Sequence, residues 1–516
     1  MLAKLSVSIL LALTAMCATT FGQQPNIQYH QFKANQNALA SYHVQEKDDA
    51  SEKLEQQLKR MELRLRELEH DIEEKLKSQP DAAKEAAEKN EEVDERLSEL
   101  EESFEEQSDA VGKLEDSVPN FVVSGHKSPK LKFFGRIHTD YWAFPKVDET
   151  LEPLENGDDP EDRFNFRRLR IGVSGDLNDN VFYKYEGEFA AGAGGTSFRD
   201  ALIGFKNLPY LNKVIIGNHK RPYGLDHLNS SRHNVFIERP FIIEAFNEDS
   251  RRFGISSNGV SEDQGWNWRY GVWNQQLTQT IGGFIGDHYQ LELAGRLART
   301  AWWDESSGGR GYAHWAISGS VGTPDGRGNN QARFRTRPES RTDNRWLDTQ
   351  AIDGANTTYL IGFESVINVG AFNVTSEYQR TFVDRLAAVG DNVAFDGYYT
   401  QISYFLTGEH RAWNRETGTL ARVKPYENFF AVRDCDGDIQ RGWGAWEIAG
   451  RYSNADLNDL DVLGGEAESF TFGLNWYWNA YARMQFNYII GEVASGTGNL
   501  GQGDYEIFGV RFMVDF

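Results

Sequence analysis

The sequence predicts an all-β protein: a 16-stranded antiparallel transmembrane β-barrel, preceded by an α-helical coiled-coil stalk. Three observations carry this expectation. From Leu131 onward, segments of about ten residues alternate apolar and polar side chains between clusters of turn residues, as strands do when one face meets lipid and the other water. The connections between them alternate short and long, which is how periplasmic turns and extracellular loops differ. The last segment, "YEIFGVRFMVDF", places Phe508, Val510, Phe512, Val514 and Phe516 on one apolar face. A final strand of that kind, ending on Phe in an exported chain, is typical of outer-membrane barrels.

Composition agrees without deciding. Charged residues make up 25% and mean hydropathy is −0.58, so a helical membrane protein is excluded. Aromatics reach 13%, with 13 Trp, 21 Tyr and 32 Phe beside 49 Gly. That mixture suits a barrel with aromatic girdles, and equally a secreted sandwich or solenoid.

Taken in chain order, residues 1–22 form a secretory signal peptide: Lys4, the apolar run "LSVSILLALTA", then small residues. The run is too short to span a membrane as a helix. Met16 stands where lipoprotein cleavage wants a small residue, which argues against lipidation of Cys17. After cleavage Cys435 is the one cysteine left, so neither an intramolecular disulfide nor a cysteine-based metal cluster is expected. Residues 23–45 read as a linker.

In the stalk, 46–116, Leu54, Leu58, Met61, Leu65, Leu68 and Ile72 step by 4 and 3, a coiled-coil seam that resumes at Val93, Leu97, Leu100 and Phe104. Pro80 breaks or kinks the helix between the two runs. The stalk holds 26 Asp and Glu against 12 Lys and Arg, leaving a net −11 for residues 117–516. This charge reads as a solvated helix surface. Such helices are rarely stable alone, so the seam predicts oligomerisation.

A second linker, 117–130, leads to the barrel, 131–516. With the stalk in the periplasm, the strands pair outward and back as 133–142 with 164–174, 181–189 with 199–206, 213–221 with 251–260, and 266–274 with 289–299. The remaining pairs are 312–321 with 358–367, 371–380 with 398–407, 445–453 with 469–478, and 482–490 with 505–516. "ARFRTRPES" is assigned to a loop; counted as strand, it would open the way to 18.

The stretch "RFNFRRLRIGVSGDL" sets the barrel's polarity. Leu169, Ile171 and Val173 share one face, and Arg168, Arg170, Gly172 and Ser174 the other. Arginine facing lipid at the midplane costs about 2–4 kcal/mol, so the arginines point into the lumen. Arg167 falls on the lipid parity, near a strand end from which it could snorkel to the headgroups. By the same parity Arg136, His138 and Asp140 face inward, as do Lys184, Glu186, Glu188 and Lys206. Lys220 and Arg221 stand at the top of the fifth strand. One wall of the lumen is therefore basic. Guanidinium forks match oxyanions, and rows of Arg and Lys make anion-selective pores. Plain pairing with Glu186, Glu188, Asp140 and Asp200 is the other reading.

"KFFGRIHTDYWAF", "FNFRRLRIGVSGDL", "YKYEGEFA", "DALIGFK", "IGNHKRPYGLD", "IERPFIIEAF", "RRFGISSNG" and "GAWEIAGRYS" occur in an order that resembles the phosphate-selective porin O and P family. The resemblance covers about residues 125–516. It implies a homotrimeric outer-membrane porin, with loops folded into the lumen and an arginine ladder leading to a site for inorganic anions such as phosphate. Arg136, Arg168 and Arg170 match the ladder positions, Lys220 the lysine of "G-x-x-K-x-P-x-G", and "SSRHNVFIERPFIIEAF" the infolded third loop. Lys184, Lys206 and Arg221 complete the candidate anion-binding set. The net acidic barrel departs from the family's pattern and bears on phosphate specificity.

An enzyme is not expected: "GVSGD" lacks the spacing of a nucleophile elbow, the 11 His lack metal-ligand spacing, and "DCDGDIQRG" misplaces its Gly for a calcium loop. No cofactor, metal or nucleic-acid partner is expected. The expected partners are small anions, outer-membrane lipid, sister subunits and, through the stalk, the cell wall. A general diffusion porin and a tether from outer membrane to cell wall are the alternative functions.

Overall fold

The computed structural model describes residues 129–516 apart from 156, 191–195, 249–250, 280–282, 288, 325–331 and 434–438. The described residues all lie in one compact unit, Asn120–Phe516. The signal peptide, the first linker, the coiled-coil stalk and most of the second linker lie outside the described residues, as does Cys435.

Sixteen antiparallel strands close into a barrel. They are β1 Lys132–Val147, β2 Arg163–Asp176, β3 Val181–Glu188, β4 Ser197–Leu208, β5 Asn212–Lys220, β6 Arg251–Val260, β7 Trp266–Asn274 and β8 Leu291–Trp303. The second half comprises β9 Gly311–Gly322, β10 Ala355–Val369, β11 Phe372–Arg385, β12 Val393–Phe405, β13 Ala445–Asp459, β14 Val462–Tyr477, β15 Ala482–Ser495 and β16 Gly503–Asp515. β1 closes on β16, with Arg136 opposite Asp515 and Tyr141 opposite Val510. "ARFRTRPES" stays out of the wall: Arg335–Thr336 pairs with Leu347–Asp348 as a separate ribbon, so the count is 16 and not 18.

Parity sorts the side chains as expected. Ile171 is 53% exposed, whereas Arg168 and Arg170 on the opposite face are buried. The outward row continues through Phe253, Leu293, Phe363 and Phe472, all exposed. Apolar side chains can be exposed outside and charges buried inside only where lipid surrounds the barrel and the lumen is polar.

Two connections depart from the short-and-long alternation. β13 and β14, expected to end near 453 and begin near 469, extend into a tight hairpin at Leu460 and Asp461. Its outward residues, Asn454, Asp456, Glu466 and Glu468, are polar, which is why the segment reads as a loop. At the opposite end, where the other turns are short, the connection between β12 and β13 folds back into the barrel over its first part, through Arg411, Trp413 and Leu420. The lumen is filled from both ends.

Candidate functional site

The site begins with three adjacent strands. Arg136 on β1 lies opposite Arg170 on β2, and His138 opposite Arg168. Two guanidinium groups facing each other repel, and the next strand supplies the compensation: Glu188 stands opposite Arg170, and Glu186 opposite Gly172. Glu186 accepts from Arg136 at 2.6 Å and lies within 3.9 Å of Arg170 and 3.8 Å of Arg251. Glu188 accepts from Arg170 at 2.5 Å. Asp200 pairs with Arg251 at 2.5 Å and with Lys184, and Lys206 reaches Asp176 at 2.7 Å.

Arg167 does not snorkel to lipid. The β1–β2 register jumps between His138, opposite Arg168, and Thr139, opposite Phe166, so Arg167 is the extra residue of a β-bulge. The bulge puts Arg167 on the lumen side beside Arg168 and turns Phe166 and Phe164 out to the lipid side. Arg167 grips Glu238 with two hydrogen bonds, at 2.7 and 3.1 Å.

Glu238 belongs to the β5–β6 connection, 221–250, which folds into the barrel with two short helices, α1 Leu225–Leu228 and α2 Phe241–Phe246. Buried Phe241, Ile242 and Ile237 pack it against the wall. Polar anchors fix its register. Lys220 donates to the carbonyls of His227, Leu228 and Asn229 at 2.7–2.9 Å, using all three ammonium protons. Glu377 on β11 accepts from the backbone N–H of Leu225 and Asp226, both at 2.7 Å. Gly224 precedes α1 with φ +79°, and a Cβ there would lie 2.7 Å from the amide of Gln379. On the other flank Arg511 bridges Asp140 at 2.6 Å and Glu238 at 2.9 Å. Burial opposes ionisation of Glu238, yet Arg167 and Arg511 hold its carboxyl well below the usual range.

Two further segments enter the lumen that the sequence reading left as ordinary connections. The β9–β10 loop brings in Arg337, Arg341 and Arg345, and seats Glu339 against Arg451 at 2.6 Å. Its signal was the arginine repeat in "ARFRTRPESRTDNR". From the opposite end, residues 406–444 insert Arg411 and Trp413. Arg411 pairs with Glu447, and Trp413 packs against Tyr312 and His314 at 5.3 and 4.5 Å between ring centres. This limb meets the β5–β6 loop, with Leu420 N–H donating to Asn229 Oδ1 at 2.9 Å. Its signal was its length on the side of the short turns.

What remains open is a cavity of 1390 Å³ against β1–β7. Eighteen Lys and Arg line it against six Asp and Glu. The cavity brings together Arg136, Arg168, Arg170, Lys184, Lys206 and Lys220 from the expected set. Arg221 lies apart from it, buried on Glu292 at 2.9 Å beside Tyr223. Several lining cations make no ion pair among the described residues. Arg168 contacts only the ring of His138, at 3.3 Å, and Arg269 donates to the carbonyl of Thr417 at 3.0 Å. Arg341 is crowded by Arg167, which together with burial lowers its pKa. Clustered guanidinium groups of this kind attract an oxyanion, which would relieve their repulsion. Among the described residues no cluster of His, Cys, Asp and Glu could hold a metal ion.

The family model described as phosphate-selective porin O and P matches residues 132–516. An uncharacterised protein of Caulobacter vibrioides is 27% identical over 364 residues, 68% of each chain. Porin O of Pseudomonas aeruginosa is 29% identical over 168 residues, 30% of this chain and 34% of its own. Among solved structures, the trimer form of OmpT from Vibrio cholerae superposes with a TM-score of 0.44 at 12% identity, over 75% of this chain and 99% of its own.

Proposed function

The chain belongs to the phosphate-selective porin O and P family and is an outer-membrane porin; on that premise we propose that it conducts small anions, phosphate or related oxyanions among them. The observation that carries this reading is the charge of the cavity wall. Eighteen basic groups against six acidic ones line the open path, although residues 117–516 are net acidic. Remote acidic charge is screened beyond about 8 Å at physiological salt, so the lining sets the field an ion meets. In this reading Arg168 and Arg341, which form no ion pair within 4 Å among the described residues, offer an entering anion its strongest contacts. Arg136, Arg170 and Lys184 shape the wall as members of ion-pair chains. The assembly is a homotrimer whose stalk hangs into the periplasm after export by the signal peptide.

The saturated ion pairs on Glu186, Glu188 and Asp200 favour a second reading, a general diffusion porin without phosphate preference. One experiment separates the two. In a planar bilayer under a salt gradient, the zero-current potential should show anion preference, and phosphate should reduce chloride conductance at low millimolar levels. The double substitution Arg168→Ala, Arg170→Ala should relax both. Cation preference in the unmodified protein overturns the proposal, and anion preference without phosphate block leaves an anion channel of another substrate.

A further inference from the structure

A neutral imidazole carries one donor and one acceptor. His227, on α1 of the β5–β6 loop, lines the cavity with both ring nitrogens buried and without a hydrogen-bond partner among the described residues. Its backbone is fixed from two sides. Lys220 donates to its carbonyl at 2.7 Å, and Glu377 accepts from the N–H of the preceding residue, Asp226, at 2.7 Å. The ring lies nearly parallel to Tyr223, with 17° between planes and 6.0 Å between centres. A buried polar group left unpaired is unfavourable, so the loop's other contacts hold this one in place. Burial and the charges of Lys220, Arg221, Arg239 and Arg251 keep its pKa well below the usual histidine value, and the ring is neutral.

The rest of the cavity wall is short of what this ring supplies. Lysine and arginine side chains donate hydrogen bonds and accept none. The six carboxylates on the wall are each held by a cation. Among the described residues lining the cavity, the buried side-chain acceptors without a partner belong to His227, Asn247 and Ser340. Of these the imidazole nitrogen is the most basic, and so the strongest acceptor.

We propose that His227 is a specificity-determining residue of the channel, a role that rests on the anion-conducting reading: its ring accepts the O–H of a protonated oxyanion whose other oxygens meet the guanidinium groups. Phosphate and arsenate carry at least one O–H at neutral pH, whereas sulfate carries none. A wall of donors alone favours the more highly charged sulfate. An acceptor fixed among those donors reverses the order, because sulfate presents a lone pair to it where phosphate presents a proton. His227 thus sorts tetrahedral oxyanions by their protonation, which the similar size and shape of these ions do not reveal.

Chloride conductance of the intact protein in planar bilayers tests this, with inorganic phosphate, arsenate and sulfate as blockers at neutral pH. In the unmodified protein phosphate and arsenate should block at lower concentrations than sulfate. His227→Phe keeps a ring against Tyr223 and removes both nitrogens. In that variant the ratio of phosphate to sulfate half-blocking concentrations should rise about tenfold, the worth of one hydrogen bond. An unchanged ratio overturns the proposal, whether both blocks persist or both weaken alike. Arsenate that follows sulfate instead of phosphate overturns it as well. Should His227→Phe fail to fold, the unmodified protein still decides, since block by sulfate as strong as block by phosphate leaves no place for a fixed acceptor. Cation preference in the unmodified protein would instead overturn the anion reading itself.

Discussion

Replacing Lys220 with Met separates two roles that the same residue could play. Lys220 lines the cavity, yet its ammonium donates to three successive carbonyls, those of His227, Leu228 and Asn229. Methionine keeps the length of the side chain and removes every donor. An unpaired buried acceptor costs about 1–3 kcal/mol, and three of them exceed that before relaxation. Arg239 also donates to Asn229 O at 3.2 Å and to Asp226 O at 3.0 Å, and Glu377 still holds the front of α1, so part of the loop remains anchored. We expect a net loss of about 3 kcal/mol, the low end of what breaking a buried charged contact costs. At about 1.4 kcal/mol per tenfold, the ratio of displaced to seated loop rises about a hundredfold. Single-channel recording should then show a larger mean conductance with added flicker, as the β5–β6 loop leaves its seat. Phosphate block should weaken in proportion to the displaced population. A variant with wild-type conductance and noise but weakened phosphate block would refute this reasoning, because Lys220 would then be meeting the anion itself.

Cysteine at Arg167 and at Arg168 should react with a hydrophilic thiol reagent entering the lumen, whereas cysteine at Leu169 should react only with a lipid-soluble one. Labelling of residue 167 from the lipid side would remove the bulge. Trp413→Ala should unseat the inner limb of the 406–444 connection from Tyr312 and His314; loss of a buried Trp costs about 3–5 kcal/mol. Its readout is a raised conductance with an unchanged strand content by circular dichroism, and an unchanged conductance would show that this limb does not restrict flow. Deleting residues 46–116 should weaken trimer assembly in detergent without abolishing the barrel. A monomer by light scattering with the stalk intact would dispose of both the trimer and the role of the seam.

The sequence by itself determined that the chain is an antiparallel barrel and which way most strand residues face, while the choice of 16 strands over 18 waited for the structure. Both follow from a contrast each strand meets locally: lipid on one side and a polar lumen on the other, reversed at every residue. Arg136, Arg168 and Arg170 were legible as lumen residues for that reason, since facing lipid would cost them more than any later contact could restore. The tertiary structure decided what those charges meet. Arg511 and Asp140 are joined at 2.6 Å across 371 residues of chain, and Arg411 meets Glu447 inside a limb that enters from the far end of the barrel. No local period encodes such meetings. The first depends on which strands close the barrel and the second on which loop reaches which wall, and a single bulge at Arg167 was enough to bring one more guanidinium into the lumen. The cavity lies along β1–β7 while α2 packs on β11–β13 and Trp413 on β9, and that choice belongs to packing across the closed barrel.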